Sequence, residues 1–184
     1  MLILAESEIP CTELQEALNR GQRSKFQIPF SPPSRLSFFI KYPRRCFKLV
    51  ADKSDIAIRR LIPPIGLDLL LVAVHLPSKL YYRDNDQFSN SWRIAAAIRE
   101  AENKVGHSST IVVGDFNMNP FEPGVVDARG FHAAMDRRIA RQRARPVQGE
   151  LYEFLYNPIW GRMGDSSSGR FKYLSPFWGT GVQR

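Results

Sequence analysis

The feature that most restricts the fold is the run from Leu67 to Leu76, in which Leu69 to Val74 are uninterrupted apolar residues. That stretch is far too short to span a bilayer, and it does not alternate as a half-exposed strand does. It reads as a strand buried on both faces. His75 breaks the run near its far end, and Pro77 lacks the N–H that a ladder needs, so pairing stops there. A loop over 77–86 leads to a helix over 87–105 with Trp92, Ala95, Ala96 and Ile98 on its apolar face, ended by Gly106. A second buried strand, Thr110 to Val113, then runs directly into Gly114-Asp115-Phe116-Asn117.

The rest of the chain is punctuated in the same way. Met1 to Ala5 reads as a buried strand stopped by Glu6, and Thr12 to Arg20 as a short helix with Thr12 and Gln15 in a capping box, stopped by Gly21. Residues 22–34 hold three prolines and read as loop. Short strands follow over 36–40, 47–51 and 55–61. The spacing predicts a helix over 130–143, an aromatic strand and its exit over 151–160, and a Gly/Ser loop over 161–170. No repeat and no linker is apparent, so one domain over 1–184 is expected, of mixed α/β (α+β) class. A chain of 184 residues buries roughly 70% of its unfolded surface, enough for a core without staples.

Cys11 and Cys46 are the only cysteines and have no zinc-ligand spacing, which argues against a disulfide framework or a zinc site and for a reducing compartment. The first residues lack a basic n-region and a long apolar segment, so a soluble cytoplasmic protein, peripheral at most, is expected. The formal charge of +8 favours polyanionic partners: nucleic acid, phosphorylated small molecules or an anionic membrane. It is spread evenly, with 13 basic and 9 acidic groups in residues 1–92 and the same in 93–184. Arg137, Arg138, Arg141, Arg143 and Arg145 read as a solvated helix face before a phosphate-tracking one. Tyr152, Phe154, Tyr156 and Trp160 read as core before a base-stacking platform.

Polar residues sit where the apolar runs stop: Glu6 after LILA, His75 after LLLVAV, and Asp115 with Asn117 after TIVVG. Rigid strand ends followed by loops are where ligand-binding groups gather, so these ends are expected to converge. Glu6 and Asp115 are hard oxygen donors suited to a magnesium-type ion. Asp115 and Asn117 point to one side if extended geometry persists through Phe116. Asn119 and Glu122 read as structural residues of the loop before Pro123.

The stretches LILAE at 2–6, VAVHLPSK at 72–79 and IVVGDFNMNPFEPG at 111–124, in this order, together with YNPIW at 156–160, resemble the endonuclease/exonuclease/phosphatase superfamily. The resemblance implies a deoxyribonuclease I-like four-layer α-β-β-α sandwich and hydrolysis of a phosphate ester with Mg2+ or Mn2+, without a covalent enzyme intermediate. It implies Glu6 as metal ligand and Asp115 as the carboxylate that orients or deprotonates the attacking water. Asn117 is implied as the amide that binds phosphate and positions Asp115, and His75 as a phosphate or leaving-group contact. DNA or RNA is the first substrate expected from the charge; phosphoinositides, sphingomyelin and small phosphate esters are cleaved on the same fold.

The chain also departs from that pattern. The family carries an Asn on a strand before the first Glu and an Asp strand followed by an Asp-His pair near its end. Here none of the three histidines, His75, His107 and His132, follows an Asp, and Asp165 lies in a Gly/Ser loop. The expectation is a partial domain clipped at both ends, poorly soluble or self-associating in isolation. The alternative is a catalytically inactive remnant that binds nucleic acid or a partner through its basic surface. A calcineurin-like phosphoesterase, which also uses a GD motif, needs a GNH pattern that is absent.

Overall fold

The computed structural model describes residues 1–29, 35–79 and 84–159. The chain is mixed α/β and divides into two units: Met1–Leu76 with Ile98–Phe116, and Pro77–Ala97 with the chain from Asn117 onward.

The first unit is built on a four-stranded sheet in the order β3 (Phe47–Lys53), β4 (Ile56–Leu61), β5 (Leu69–His75) and β6 (Thr110–Asp115). The β3–β4 and β4–β5 pairs are antiparallel, and β5 pairs with β6 in parallel. The apolar run at 69–74 thus becomes an interior strand, with Leu70, Val72, Ala73 and Val74 wholly buried. A second, two-stranded antiparallel sheet pairs β1 (Leu2–Ala5) with β2 (Leu36–Phe39). One core cluster joins the two sheets: Leu36, Phe38 and Ile40 pack with Phe47, Ala57, Leu71 and Ala73, flanked by Ile3, Leu61 and Val113. The expectation of a buried strand over Met1 to Ala5 is corrected, since Met1 and Ala5 are exposed and Leu2 to Leu4 only half-buried.

Helix α1 (Cys11–Asn19) forms where the spacing predicts a helix, but without the capping box. Thr12 lies inside the helix and the N-cap is Pro10, with no side-chain cap bond. Gln15 instead donates to the Phe26 carbonyl at 2.8 Å, and Asn19 both accepts from the Phe26 N–H at 2.6 Å and donates to its carbonyl at 2.9 Å. The two amides clasp the following loop to the helix.

Helix α2 (Asp84–Val105) has its first part in the second unit and its last turns in the first. Its buried face is Gln87, Ser91, Ile94, Ala95, Ile98 and Ala101, recurring every three to four residues. Trp92 and Ala96, expected on that face, are exposed. The second unit continues with α3 (Pro123–Val126), β7 (Ala133–Ala134), α4 (Arg137–Ala140), β8 (Ala144–Val147), β9 (Glu150–Glu153) and β10 (Leu155–Tyr156). Gly124 on α3 lies so close to α2 that an added Cβ would meet Ser91 Oγ at 2.4 Å and Met118 Sδ at 2.6 Å.

The helix expected over 130–143 is not formed. His132 and Arg143 have φ of +48° and +70°, conformations no helix admits, and only one turn, α4, survives between them. Asp136 caps that turn by accepting from the Arg138 N–H at 2.6 Å. The aromatic segment forms β9 and β10, while Trp160 and the expected loop over 161–170 lie outside the described residues.

Candidate functional site

Alternation along the strands decides which polar groups meet. Leu71 and Ala73 of β5 face the β1–β2 sheet. Side chains two apart share a face, so His75 leaves on that same face just past the apolar core. Strand β6 pairs in parallel with β5, and His75 is the register partner of Asp115. Both side chains therefore leave one face of adjacent strands, roughly 5 Å apart at the backbone. The ladder continues one step further, with the Leu76 N–H donating to the Asp115 carbonyl at 2.9 Å.

Glu6 arrives from the other sheet. It stands at the exit of β1, donates its N–H to the Arg35 carbonyl at 3.1 Å, and has a φ of +52°. A non-glycine residue in the left-handed region is uncommon and carries a backbone cost of order 1–3 kcal/mol. Its Oε1 lies 3.6 Å from His75 Nε2, with the carboxylate 66% exposed and the imidazole 9%. Glu6 thus lies beside His75 at one end of the first unit, and Asp115 ends the strand paired with that of His75.

Asn117 is placed differently from the sequence expectation. Strand β6 includes Asp115 and stops there, and Asn117 has a φ of +48°, so the extended geometry does not persist to it. It is the first residue of the second unit after the strand. Asn tolerates this conformation better than other side chains because its short amide bonds locally.

Gly114, immediately before Asp115, has a φ of +142°, and an added Cβ would stand 1.9 Å from the Val74 carbonyl oxygen. The glycine of the GDFN stretch is thus required by close approach of the neighbouring strand. In the loop before Pro123 the Glu122 N–H donates to the Asn119 backbone carbonyl at 3.1 Å, and Lys79 Nζ donates to the Glu122 carboxylate at 2.5 Å.

Two groups with chemical potential were not singled out from sequence. Asp55 is 8% exposed in the β3–β4 turn, and its carbonyl accepts the His75 N–H at 2.9 Å, which places a buried acid at the same end as His75. By sequence Asp55 merely opens the strand expected over 55–61, whereas the structure starts that strand at Ile56 and leaves Asp55 in the turn. In the second unit His132 is 3% exposed and stacked on Phe154 with centroids 4.2 Å apart. Its Nδ1–H donates to the Glu153 carbonyl at 2.8 Å, and its Nε2 accepts from Arg145 Nε at 2.9 Å, which assigns a neutral imidazole. Burial first, then the neighbouring Arg145, holds its pKa below the ordinary 6.5. No pattern of residue types marks this histidine.

The arginine cluster is partly consumed by its own unit. Arg137 bonds the Tyr156 hydroxyl, Arg138 pairs with Asp136, and Arg145 bonds His132.

Among the described residues no group of three or more His, Cys, Asp or Glu is arranged to hold a metal ion. A magnesium ion does not demand one, because it is commonly held by one or two carboxylates with substrate phosphate and water completing its shell. The exposed Glu6 carboxylate is a hard oxygen donor of the type such an ion takes. No helix among the described residues is long and apolar enough to cross a membrane. Comparison with protein-family models, with curated proteins and with solved structures finds no match to this chain.

Proposed function

We propose that the chain is a metal-dependent phosphohydrolase of the endonuclease/exonuclease/phosphatase type, built on a deoxyribonuclease I-like sandwich, that cleaves a phosphodiester. The observation that carries this reading is the contact of Glu6 with His75 at 3.6 Å, with Asp115 the register partner of His75 on the adjacent strand. The inter-sheet core and the glycine required before Asp115 support it.

In this reading Glu6 holds the ion, which when bound acts as a Lewis acid on a phosphoryl oxygen. Asp115, at the end of a paired strand, accepts a proton from the attacking water and orients it. His75 donates from Nε2 to a phosphate oxygen or to the leaving group, its backbone fixed by the Asp55 carbonyl. Nucleic acid is the first substrate class to test, given the +8 charge. The competing reading, an inactive nucleic-acid binder, draws on the exposed arginines at 137–145, and three of those five are engaged within their own unit.

The test is turnover of plasmid DNA, abasic DNA and a chromogenic phosphodiester by the full chain with Mg2+ or Mn2+, beside Asp115→Ala and His75→Ala. Loss of a proton-transfer group costs about 100-fold or more. Equal residual rates in the wild type and in Asp115→Ala overturn the proposal.

A further inference from the structure

The opposite pole of the first unit carries an unexplained apolar tip. Loop 62–68, between β4 and β5, reads Ile-Pro-Pro-Ile-Gly-Leu-Asp, and Ile65 is 92% and Leu67 74% exposed. Ile65 is the most exposed large apolar side chain among the described residues, and a loop of this kind ordinarily carries polar groups. The tip is stiffened rather than floppy, with Pro63 and Pro64 in sequence and Gly66 at a φ of +113°.

Its surroundings are basic. The Ile62 N–H bonds the Cys46 carbonyl at 2.8 Å, which seats the loop beside the single turn Arg44–Cys46, and Lys48 pairs in register with Arg60. Arg44, Arg45 and Lys48 are exposed, and Tyr42, 42% exposed, stands beside them in sequence. The acids nearby are taken up. Asp68 is gripped by Arg60 through bonds of 2.5 to 3.2 Å, which hold its carboxyl below the usual range, and Glu102 accepts from the Thr110 hydroxyl at 2.5 Å. Arg44, Arg45 and Lys48 are thus exposed cations on the segment that the loop is bonded to.

We propose that this pole is a docking site for an anionic phospholipid surface, into which Ile65 and Leu67 insert while Arg44, Arg45 and Lys48 meet the headgroups. An exposed apolar tip beside exposed basic side chains suits a fluid interface that closes around it, and the aromatic ring of Tyr42 suits headgroup depth. The topology adds a consequence. Loop 62–68 precedes β5 and His75 ends it, so the tip and the Glu6–His75–Asp115 end are separated by a seven-residue strand, roughly 20 Å. Docking therefore tethers the unit with the candidate catalytic end turned away from the lipid, and does not feed it membrane substrate. The inference stands whether or not the chain is a phosphohydrolase.

The experiment is co-sedimentation of the full chain with vesicles of phosphatidylcholine alone and of phosphatidylcholine with 30% phosphatidylserine, an arbitrary but roughly physiological anionic fraction. Binding to the anionic vesicles alone, weakened by 0.5 M NaCl (about five times the ionic strength of a standard buffer), is expected. Ile65→Ser with Leu67→Ser, and separately Arg44→Glu with Arg45→Glu, are each expected to lower the partition coefficient by about tenfold or more with unchanged circular dichroism. Asp115→Ala is expected to bind as the wild type does. Failure to sediment with anionic vesicles overturns the proposal, as does binding indifferent to both double substitutions. Concentration-dependent self-association abolished by Ile65→Ser with Leu67→Ser, without vesicle binding, assigns the tip to a second copy and also overturns it.

Discussion

Gly114→Ala tests the local physics of the candidate site most directly. Gly114 is the register partner of Val74 in the parallel β5–β6 ladder, and a Cβ there would stand 1.9 Å from the Val74 carbonyl oxygen and 2.9 Å from its carbonyl carbon and nitrogen. The atoms in the way belong to the backbone of an interior strand, which cannot rotate aside as a side chain would. Two costs add. The φ of +142° is a region that alanine pays of order 1–3 kcal/mol to occupy, and forced separation of packed backbone costs roughly 1–3 kcal/mol more. A loss of about 2–6 kcal/mol is a large share of the 5–15 kcal/mol that holds a typical domain. For a chain of this length it corresponds to a melting midpoint lower by very roughly 5–20 °C. Gly149→Ala is the control: its φ is +86°, yet nothing lies within 4 Å of an added Cβ, so only the conformational cost of about 1 kcal/mol applies. Urea and thermal unfolding followed by circular dichroism compare the two. If Gly114→Ala unfolds within 0.5 kcal/mol (about the scatter of surface substitutions) of Gly149→Ala, steric exclusion by Val74 is not what requires the glycine.

Other outcomes follow from charges inside the two units. Arg59 is wholly buried, bound by Asp52 at 2.5 and 2.9 Å and stacked on Phe38. Asp52→Ala strands the guanidinium and is expected to cost about 3–5 kcal/mol, whereas Arg59→Met with Asp52→Ala recovers much of it; equal urea midpoints for single and double variants refute this. His132 has its folded pKa below the ordinary 6.5, so the unfolded chain binds more protons near and below that value. Stability is full above pH 6.5 and falls as pH drops through the lowered folded value. Urea midpoints at pH 7.5 and 5.5 are expected to differ less in His132→Gln than in the wild type. Asp68 and Asp136, held low chiefly by hydrogen bonds from Arg60 and Arg138, contribute stability above the ordinary 3.8 that is lost only as pH falls through their lower folded values.

The sequence carried the elements whose signal is local. The apolar run at 69–74 became the buried β5, the one at 110–113 became β6, which is not buried as expected but half-buried with Ile111 exposed, and Gly106, at a φ of +83°, marks the end of α2. The β8–β9 hairpin escaped notice because its turn is Gln148-Gly149, both at positive φ, rather than the Asn-Gly or Asp-Gly pair that usually announces it. The arginine-rich segment imitated a helix because charge spacing is visible in sequence, and the left-handed residues that interrupt it are not. Likewise Gln15 looked like a cap until the loop at Phe26 offered its amide group a partner.

For the candidate site the division is similar. Residue type and position at the ends of apolar runs nominated Glu6, His75, Asp115 and Asn117, because hard donors and proton carriers after rigid strands are legible one strand at a time. Which of them meet was decided by pairing: the parallel β5–β6 register sets His75 beside Asp115, and the packing of β1–β2 on that face brings Glu6 within 3.6 Å of His75. Register and sheet-on-sheet packing are long-range choices, made by the fit of whole apolar faces, and no single segment encodes them. The buried Asp55 beside His75, and separately the buried His132 of the second unit, have the same origin, since a polar side chain acquires its environment only when the rest of the chain closes around it.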